Sequence, residues 1–213
     1  MQGDILFINH NHVDAARNIY ETHLQDKPLK KHIITVTGET QTGKSEIAYL
    51  LAKLLAADGV TAKVLNMDSY YKIPPRERQS WRKKHGIESI GVQEYDWDKI
   101  NETVDAFKAG NKVTIPYVDV ITKEVDELTT DLKNVEVLIL NGLYAIACKQ
   151  SNLNVFIELD YHDSLREQKK SNNEVLDDWR MKELEQEHKV VQGLKKQGHY
   201  FVDSDTSLEF YHL

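Results

Sequence analysis

The feature that most constrains this chain is a short motif near its N-terminus. Residues 38–45 read Gly-Glu-Thr-Gln-Thr-Gly-Lys-Ser and match the phosphate-binding pattern G-x-x-x-x-G-K-[ST] without a mismatch. A β-branched run at 33–36 precedes the motif, and an amphipathic stretch at 44–57 follows it. This order predicts a strand, a phosphate-binding loop (P-loop) and a helix, whereas a glycine-rich turn that binds nothing is the structural alternative.

Each residue type in the motif has a physical role in binding phosphate. Its two glycines let the backbone approach an anion closely, and the N–H groups of the loop and of the helix then point at that anion. Lys44 can reach the β- and γ-phosphates of ATP, and Ser45 can ligate Mg²⁺. The predicted ATP-binding residues of the loop are Gly38, Glu39, Thr40, Gln41, Thr42, Gly43, Lys44 and Ser45.

Strand-like and helical patterns alternate along the rest of the chain. The predicted strands are 4–8, 33–36, 61–65, 113–115, 118–121, 125–128, 135–140, 155–159 and 200–202. The predicted helices are 12–24, 44–57, a charged helix that Pro74-Pro75 opens and that runs through Lys84, 98–109 and a charged region at about 163–197. We therefore expect the α/β class, namely a three-layer P-loop NTPase fold with a parallel sheet of about five strands and a small lid.

The domain organisation follows from the same patterns. A polar, charged stretch at 25–31 separates the first strand and helix from the β-branched run that leads into the P-loop. We expect residues 1–30 to be an N-terminal strand–helix extension and residues 31–213 to be the P-loop domain. The lid region is expected at about 161–197.

Composition limits the classes of partner. The formal net charge of −7 argues against a nucleic acid, because binding a polyanion needs a cationic surface. No apolar run approaches the roughly 20 residues that cross a bilayer, and the N-terminus lacks a signal-peptide pattern, so we expect no membrane partner. The one cysteine, Cys148, cannot form an internal disulfide, which favours a reducing, cytoplasmic setting.

A second candidate residue is Asp68, which follows the strand predicted at 61–65. Ligands of open α/β sheets lie at the carboxyl ends of the strands, so Asp68 should emerge on the same rim as the P-loop. A carboxylate there can accept the proton of a substrate hydroxyl or support Mg²⁺, but Asp is also a common turn or helix-cap residue. A GTPase is disfavoured, because the nearest match to Asn-Lys-x-Asp, at 111–114, lacks the Asp.

The P-loop followed by Asp68-Ser69-Tyr70-Tyr71-Lys72 resembles the uridine kinase/phosphoribulokinase family of P-loop kinases. That family carries an Asp-x-Phe/Tyr-Tyr element after its second strand, and segments 94–98, 116–119 and 137–144 resemble three further family segments in the same order. The resemblance implies that Asp68 is the catalytic base and that Arg166 in the lid clamps the γ-phosphate. The substrate-binding residues that it implies are Asp96, Tyr117 and Asp119, although the two carboxylates could equally be solvated loop residues. Tyr70 and Tyr71 could stack on a base or sugar or simply pack in the core, and Lys72 adds a cation near Asp68.

The chain also departs from the family pattern. Asn141 stands where the family usually has Glu at the end of its third core strand, and an asparagine offers only a neutral carbonyl to a metal. The arginine-dense lid is reduced here to Arg166, Lys169 and Lys170, with Arg180 further on. His188, which lacks a spaced ligand partner, is interpreted as a surface residue.

The function that these patterns favour is an ATP-dependent kinase with ATP and Mg²⁺ as cofactors. Its acceptor would be a hydroxyl of a small molecule: a nucleoside such as uridine or cytidine, or a sugar, a sugar phosphate or a pantothenate-like compound. A catalytically weak or inactive nucleotide-binding regulatory protein of the same fold is the alternative, and a partner-coupled ATPase is a third, which Asn141 disfavours. The resemblance is also compatible with a homodimer or homotetramer.

Overall fold

The computed structural model describes residues 6–119, 121–162 and 177–202. Its centre is a five-stranded sheet, parallel throughout, in the order β2-β5-β1-β6-β7. The five strands are β1 (His32–Thr37), β2 (Ala62–Asn66), β5 (Val137–Asn141), β6 (Leu153–Ile157) and β7 (Tyr200–Val202). Every residue of β5 and β6 is buried, as expected for strands covered on both faces. The predicted parallel α/β sheet is confirmed.

Helices cover both faces of the sheet. They are α1 (His10–His23), α2 (Lys44–Ala57), α3 (Pro75–His85), α4 (Trp97–Ala109) and α5 (Asp178–Leu194). Successive strand residues point to opposite faces, so Ile33 belongs to the core that contains Phe107 of α4, and Ile34 belongs to the core that contains Leu51 of α2. Two apolar cores separated by one sheet give the predicted three layers.

The chain between α4 and β5 forms a hairpin. Its strands, β3 (Lys112–Val118) and β4 (Val125–Asp131), pair antiparallel with each other. The separate strand predicted at 118–121 is wrong for the described residues, because Val118 ends β3 and Ile121 lies in a turn, while residue 120 lies outside the described residues. Asp119 stabilises this turn by accepting the N–H groups of Ile121 at 2.9 Å and Thr122 at 2.7 Å.

The N-terminal region packs into the domain. α1 confirms the predicted helix, and its Ala16 and Ile19 are fully buried in the core on the α2 side of the sheet. The predicted strand at 4–8 is wrong for residues 6–8, which have no regular structure, while residues 4 and 5 lie outside the described residues. The division at residue 30 stays a prediction.

The predicted lid region is described only in part. α5 occupies much of the charged stretch expected at 163–197, whereas residues 163–176 lie outside the described residues. Among the described helices, none combines the length and the apolar character that crossing a bilayer requires.

Candidate active site

The P-loop, residues 38–45, connects the end of β1 to the start of α2. Gly43 has φ +80°, in the left-handed region that favours glycine. A Cβ on Gly38 would lie 2.8 Å from Thr42 Oγ1, too close for any other residue type without a shift. Lys44 Nζ and Thr42 Oγ1 both donate to the carbonyl of Glu39, so the loop is closed by its own side chains.

Lys44 and Ser45 line a cleft of about 340 Å³ that we call the phosphate cleft. Burial lowers the pKa of Lys44 from its ordinary value, while the nearby carboxylates of Asp68 and Glu46 oppose that shift. An ammonium group held in partly desolvated surroundings interacts strongly with an anion, since the local dielectric is lower than in water. The cleft is therefore suited to phosphate groups.

Asp68 lies at the edge of the phosphate cleft, as the sheet geometry predicts. It belongs to a 3₁₀ turn, Met67–Tyr70, that begins directly after β2. Asn66 caps this turn, because its Oδ1 accepts the N–H of Asp68 at 2.9 Å. The Asp68 side chain is exposed, so its carboxylate can meet a ligand from solvent.

Asn141 ends β5 beside the P-loop. It is buried, and its Nδ2 donates to Ser45 Oγ at 3.1 Å. The polar groups that line this side of the cleft include the Ser45 hydroxyl and the carboxylates of Glu46 and Asp68, which are the hard oxygen donors that Mg²⁺ prefers. Within the described residues, no group of three or more His, Cys, Asp or Glu side chains is arranged to hold a metal ion.

A second cleft, of about 390 Å³, lies between β2 and the β3–β4 hairpin, and we call it the hairpin cleft. Asp68 lines this cleft as well as the phosphate cleft. Tyr70 also lines it but is 3% exposed, and its hydroxyl is 3.1 Å from Thr103 Oγ1, so it packs chiefly in the core. Tyr117 lines the hairpin side.

The other predicted substrate-side residues lie elsewhere. Lys72 Nζ donates to the Gln93 carbonyl at 3.0 Å. Asp96 caps α4, and Asp119 is occupied in the hairpin turn, where its hydrogen bonds to residues 121 and 122 lower its pKa from the ordinary value. None of these three side chains lines either cleft, so their assignment to the substrate stays a prediction. Arg166 lies outside the described residues, as do Lys169 and Lys170.

A third cleft, of about 470 Å³, lies under α5, and we call it the α5 cleft. It is lined by Thr40, Asp68, Tyr71, Arg78 and Glu187 among others. The guanidinium carbon of Arg78 lies over the Tyr71 ring, 3.5 Å from the ring centroid. Burial raises the pKa of Tyr71 well above its ordinary value, so its hydroxyl stays protonated.

A buried ionic network lies beside the α5 cleft. Arg82 is 4% exposed and binds Glu94 through two hydrogen bonds of 2.7 and 2.9 Å. Its Nη1 also donates to Glu187 Oε1 at 2.9 Å. Burial disfavours the charge of Arg82, but the carboxylates of Glu94 and Glu187 outweigh burial and raise its pKa above the ordinary value. The network joins α3 to α5, which lies within the predicted lid region.

Sequence reasoning missed how the P-loop is held from outside. Glu39 is 2% exposed, and its carboxylate accepts the Tyr161 N–H and the Gln192 side-chain amide, both at 2.9 Å. His188 Nδ1 lies 2.8 Å from the same carboxylate. The interpretation of His188 as a mere surface residue is therefore wrong. These partners lie more than a hundred residues from Glu39 in sequence, and no local pattern marks them.

His12 supports the P-loop from the other side. A Cβ added to Gly43 would lie 2.5 Å from His12 Nε2, so the imidazole contacts the loop directly. His12 also closes a capping box at the start of α1, because its Nδ1 accepts the Asn9 N–H at 3.2 Å. Burial lowers the pKa of His12 to about 4.

We expect His12 to make folding stability depend on pH. The pKa falls from 6.5 in the unfolded chain to about 4 in the folded protein, so the unfolded chain binds more protons between these values. Stability is thus retained above pH 6.5 and lost as the pH falls towards 4, by about 1–3 kcal/mol. Urea unfolding at pH 7 and pH 5 measures the difference.

The matched variants for this test are His12→Gln and His10→Gln. Glutamine at position 12 can keep the capping box but does not titrate, so the pH dependence should shrink. His10 is exposed on the same helix, and its replacement should leave the dependence unchanged. Equal pH dependence in His12→Gln and the parent chain would contradict the prediction.

The parallel sheet, the P-loop and the carboxylate of Asp68 at one rim define a protein of the P-loop kinase fold. The chain belongs to the Phosphoribulokinase / Uridine kinase family, because the sequence model of that family matches residues 33–192. This membership indicates a phosphotransferase.

Individual relatives agree with the family. The chain is 26% identical over 165 residues to a uridine kinase of Ureaplasma parvum serovar 3, and the match covers 70% of this chain and 76% of that protein. Among solved structures, a possible uridine kinase from Bacillus stearothermophilus has a TM-score of 0.61 at 16% identity, over 91% of this chain and 98% of the other. The phosphoribulokinase from Rhodobacter spheroides has a TM-score of 0.58 at 11% identity, over 79% and 68%. These structures share the fold.

Proposed function

We propose that this protein is an ATP-dependent kinase that transfers the γ-phosphoryl group of ATP to a hydroxyl of a small polar metabolite. The acceptor is a nucleoside such as uridine or cytidine, or a related sugar or sugar phosphate. The observation that carries the proposal is the position of Asp68, which lines both the phosphate cleft and the hairpin cleft. A carboxylate shared by two adjoining clefts can serve a reaction between a ligand in one and a ligand in the other.

The residues of the two clefts have different roles in the proposed phosphoryl transfer. The backbone N–H groups of 38–45 hold the triphosphate, and Lys44 neutralises the charge that develops on the transferring group. Ser45 is the residue that would hold Mg²⁺, which would supply charge neutralisation at the triphosphate. Asp68 orients the acceptor hydroxyl and takes its proton, while the oxygen bonds to the γ-phosphorus and the bond to the β-phosphate oxygen breaks, releasing ADP.

A nucleotide-binding regulatory protein remains the second candidate. Asn141 favours it, because this buried neutral side chain stands beside Ser45 where the resemblance leads us to expect a carboxylate. Such a protein would bind ATP without transferring a phosphoryl group. The two candidates make opposite predictions for the effect of any acceptor on ADP release.

The deciding experiment measures ADP release at fixed ATP and Mg²⁺ against a panel of acceptors. The panel contains nucleosides, pentoses, pentose phosphates, pantothenate and glycerate. Strong stimulation by one acceptor, abolished in Asp68→Asn, would support the kinase and give its substrate class. Binding of ATP by calorimetry without stimulation by any acceptor would favour the regulatory protein instead.

Asn141→Asp is expected to lower the Mg²⁺ concentration needed for half-maximal activity by about 10-fold. A carboxylate beside Ser45 binds a hard cation more strongly than an amide carbonyl does, and charge-assisted contacts are worth about 1.5–3 kcal/mol. Asn152→Asp, at an asparagine before β6, is the matched control and should leave the Mg²⁺ dependence unchanged. No change in Asn141→Asp would show that this position does not act on the metal.

The remaining parts of the proposal concern setting and assembly. We propose that the protein works in the cytoplasm, where ATP is available and the free, buried thiol of Cys148 stays reduced. Its partner is a small-molecule substrate rather than a nucleic acid or a membrane. A homo-oligomer is compatible with the family, and sedimentation velocity would measure it.

A further inference from the structure

The charge of the hairpin cleft is opposite to that of the whole protein. The chain has a formal net charge of −7, yet the charged residues that line this cleft are three cations, Lys63, Arg78 and Lys123, and one carboxylate, Asp68. In the phosphate cleft, by contrast, the carboxylates of Glu46 and Asp68 outnumber the single cation Lys44. A local excess of positive charge in a cleft raises the local concentration of anionic ligands.

Arg78 is the best-positioned of these cations. Its guanidinium lies 3.5 Å from the centroid of the Tyr71 ring, and its Nε donates to the Ile73 carbonyl at 3.4 Å. Stacking on an aromatic ring holds the guanidinium plane in one orientation, which prepares its N–H groups for a planar or tetrahedral anion.

One nitrogen of the Arg78 guanidinium, Nη2, is a buried hydrogen-bond donor. Among the described residues, this nitrogen has no hydrogen-bond partner. A buried charged donor without an acceptor is costly, so such a group in a native structure points to a missing acceptor. A neutral nucleoside leaves the positive charge of the Arg78 guanidinium unmatched, whereas a phosphate or carboxylate group in the cleft matches it.

We propose that the acceptor molecule carries a phosphate or carboxylate group, that Arg78 binds this group, and that Lys63 and Lys123 add to the potential that attracts it. This inference rests on the proposed function, since it names the substrate class of the same site. Asp68 and Arg78 line one cleft, so the acceptor presents its hydroxyl to Asp68 and its anionic group to Arg78. The substrate class is therefore a hydroxylated metabolite with an anionic substituent.

A rival role for Arg78 has to be separated from this one. Arg78 also lines the α5 cleft, which Thr40 of the P-loop reaches, so its guanidinium could instead contact the γ-phosphate of ATP. The two roles differ in which ligand loses affinity when Arg78 is replaced. Binding of acceptor and nucleotide must be measured separately.

The test uses the full chain with a non-hydrolysable ATP analogue and Mg²⁺. Ribose and ribose 5-phosphate form one matched pair of probes, and glycerol and glycerate form the other, and each compound is titrated by calorimetry. At least one anionic member should bind 10-fold or more tighter than its neutral partner. The pair that shows the difference tells whether the anionic group is a phosphate or a carboxylate.

Arg78→Gln should weaken the anionic probe by about 10- to 100-fold and the neutral probe by less than about threefold, because the lost contact is a charge-assisted hydrogen bond. The matched control is Arg76→Gln on the same helix, where the side chain is 59% exposed and pairs with Glu124 at 3.4 Å. That control should change neither affinity. Lys123→Gln, at an exposed position, tests the same charge without risk to the fold and should weaken the anionic probe about 2- to 5-fold.

Three results would overturn the inference: equal affinity for charged and neutral probes, no effect of Arg78→Gln and Lys123→Gln, or a loss of analogue affinity in place of probe affinity. Turnover is then read separately from binding. If an anionic probe binds through Arg78 but is not phosphorylated, the anion site stands and the proposed kinase function fails for that compound. If a neutral nucleoside is phosphorylated at the same rate in the parent chain and in Arg78→Gln, the kinase stands and the inference fails.

Discussion

Asp68→Asn is expected to lower kcat by about 10²- to 10⁴-fold, the range for loss of a general base. An asparagine fills the same space and can still orient a hydroxyl, but it cannot take the proton when the oxygen bonds to phosphorus. Affinity for ATP should stay within about threefold, because the P-loop N–H groups and Lys44 bind the triphosphate. Steady-state ADP release gives kcat, and calorimetry gives the ATP affinity.

The control for this variant is Asp98→Asn. Asp98 is an exposed carboxylate in the first turn of α4, so its replacement removes the same charge from the protein without touching the clefts. Turnover in Asp98→Asn should equal that of the parent chain. If Asp68→Asn keeps the turnover of the parent chain, Asp68 is not the general base. If the variant loses ATP binding, Asp68 acts on the nucleotide or its metal instead.

Arg82→Met is expected to destabilise the fold by about 3–5 kcal/mol. The methionine keeps the apolar stem but leaves the buried carboxylate of Glu94 without its guanidinium partner, and it leaves Glu187 with only the guanidinium of Arg180, at 3.9 Å. Unpaired buried charges are far more costly than exposed ones, because the surroundings do not solvate them. A loss of this size is a large fraction of the stability of an ordinary domain.

Urea unfolding measures this effect through the shift of the midpoint, provided that the slope of the transition is unchanged. Arg76→Met is the matched control, since it removes an exposed arginine from the same helix, and its ion pair with Glu124 should contribute less than about 1 kcal/mol. A loss below about 1 kcal/mol in Arg82→Met would mean that the carboxylates are solvated or protonated after the change.

Local signals account for the part of the site that the sequence predicts. The P-loop pattern is contiguous, and the helix predicted at 44–57 has the bounds of α2. Asp68 could be assigned to the same rim because it directly follows a parallel strand, and that rule needs no knowledge of neighbours. Both predictions depend on sequence separations of a few residues.

Contacts between distant side chains account for what the sequence does not predict. Glu39 and His188 are 149 residues apart, and Arg82 and Glu187 are 105 residues apart. Such pairs depend on how the helices pack, and neither periodicity nor motif spacing encodes that packing. The strand predicted at 118–121 is wrong for a related reason, because Ile121 and Thr122 are β-branched and suit a strand but lie in a turn held by Asp119.

The β3–β4 hairpin forms a two-stranded sheet of its own, and in the described residues neither of its strands is hydrogen-bonded to the five-stranded sheet. The wall of the hairpin cleft, where we propose that the acceptor binds, is thus built on a part of the backbone that the P-loop does not share. Mutations in the hairpin can therefore change the shape of the proposed acceptor site while the P-loop keeps its geometry. Under the proposed function, substitutions confined to this hairpin are expected to change which acceptor is used while affinity for ATP stays the same.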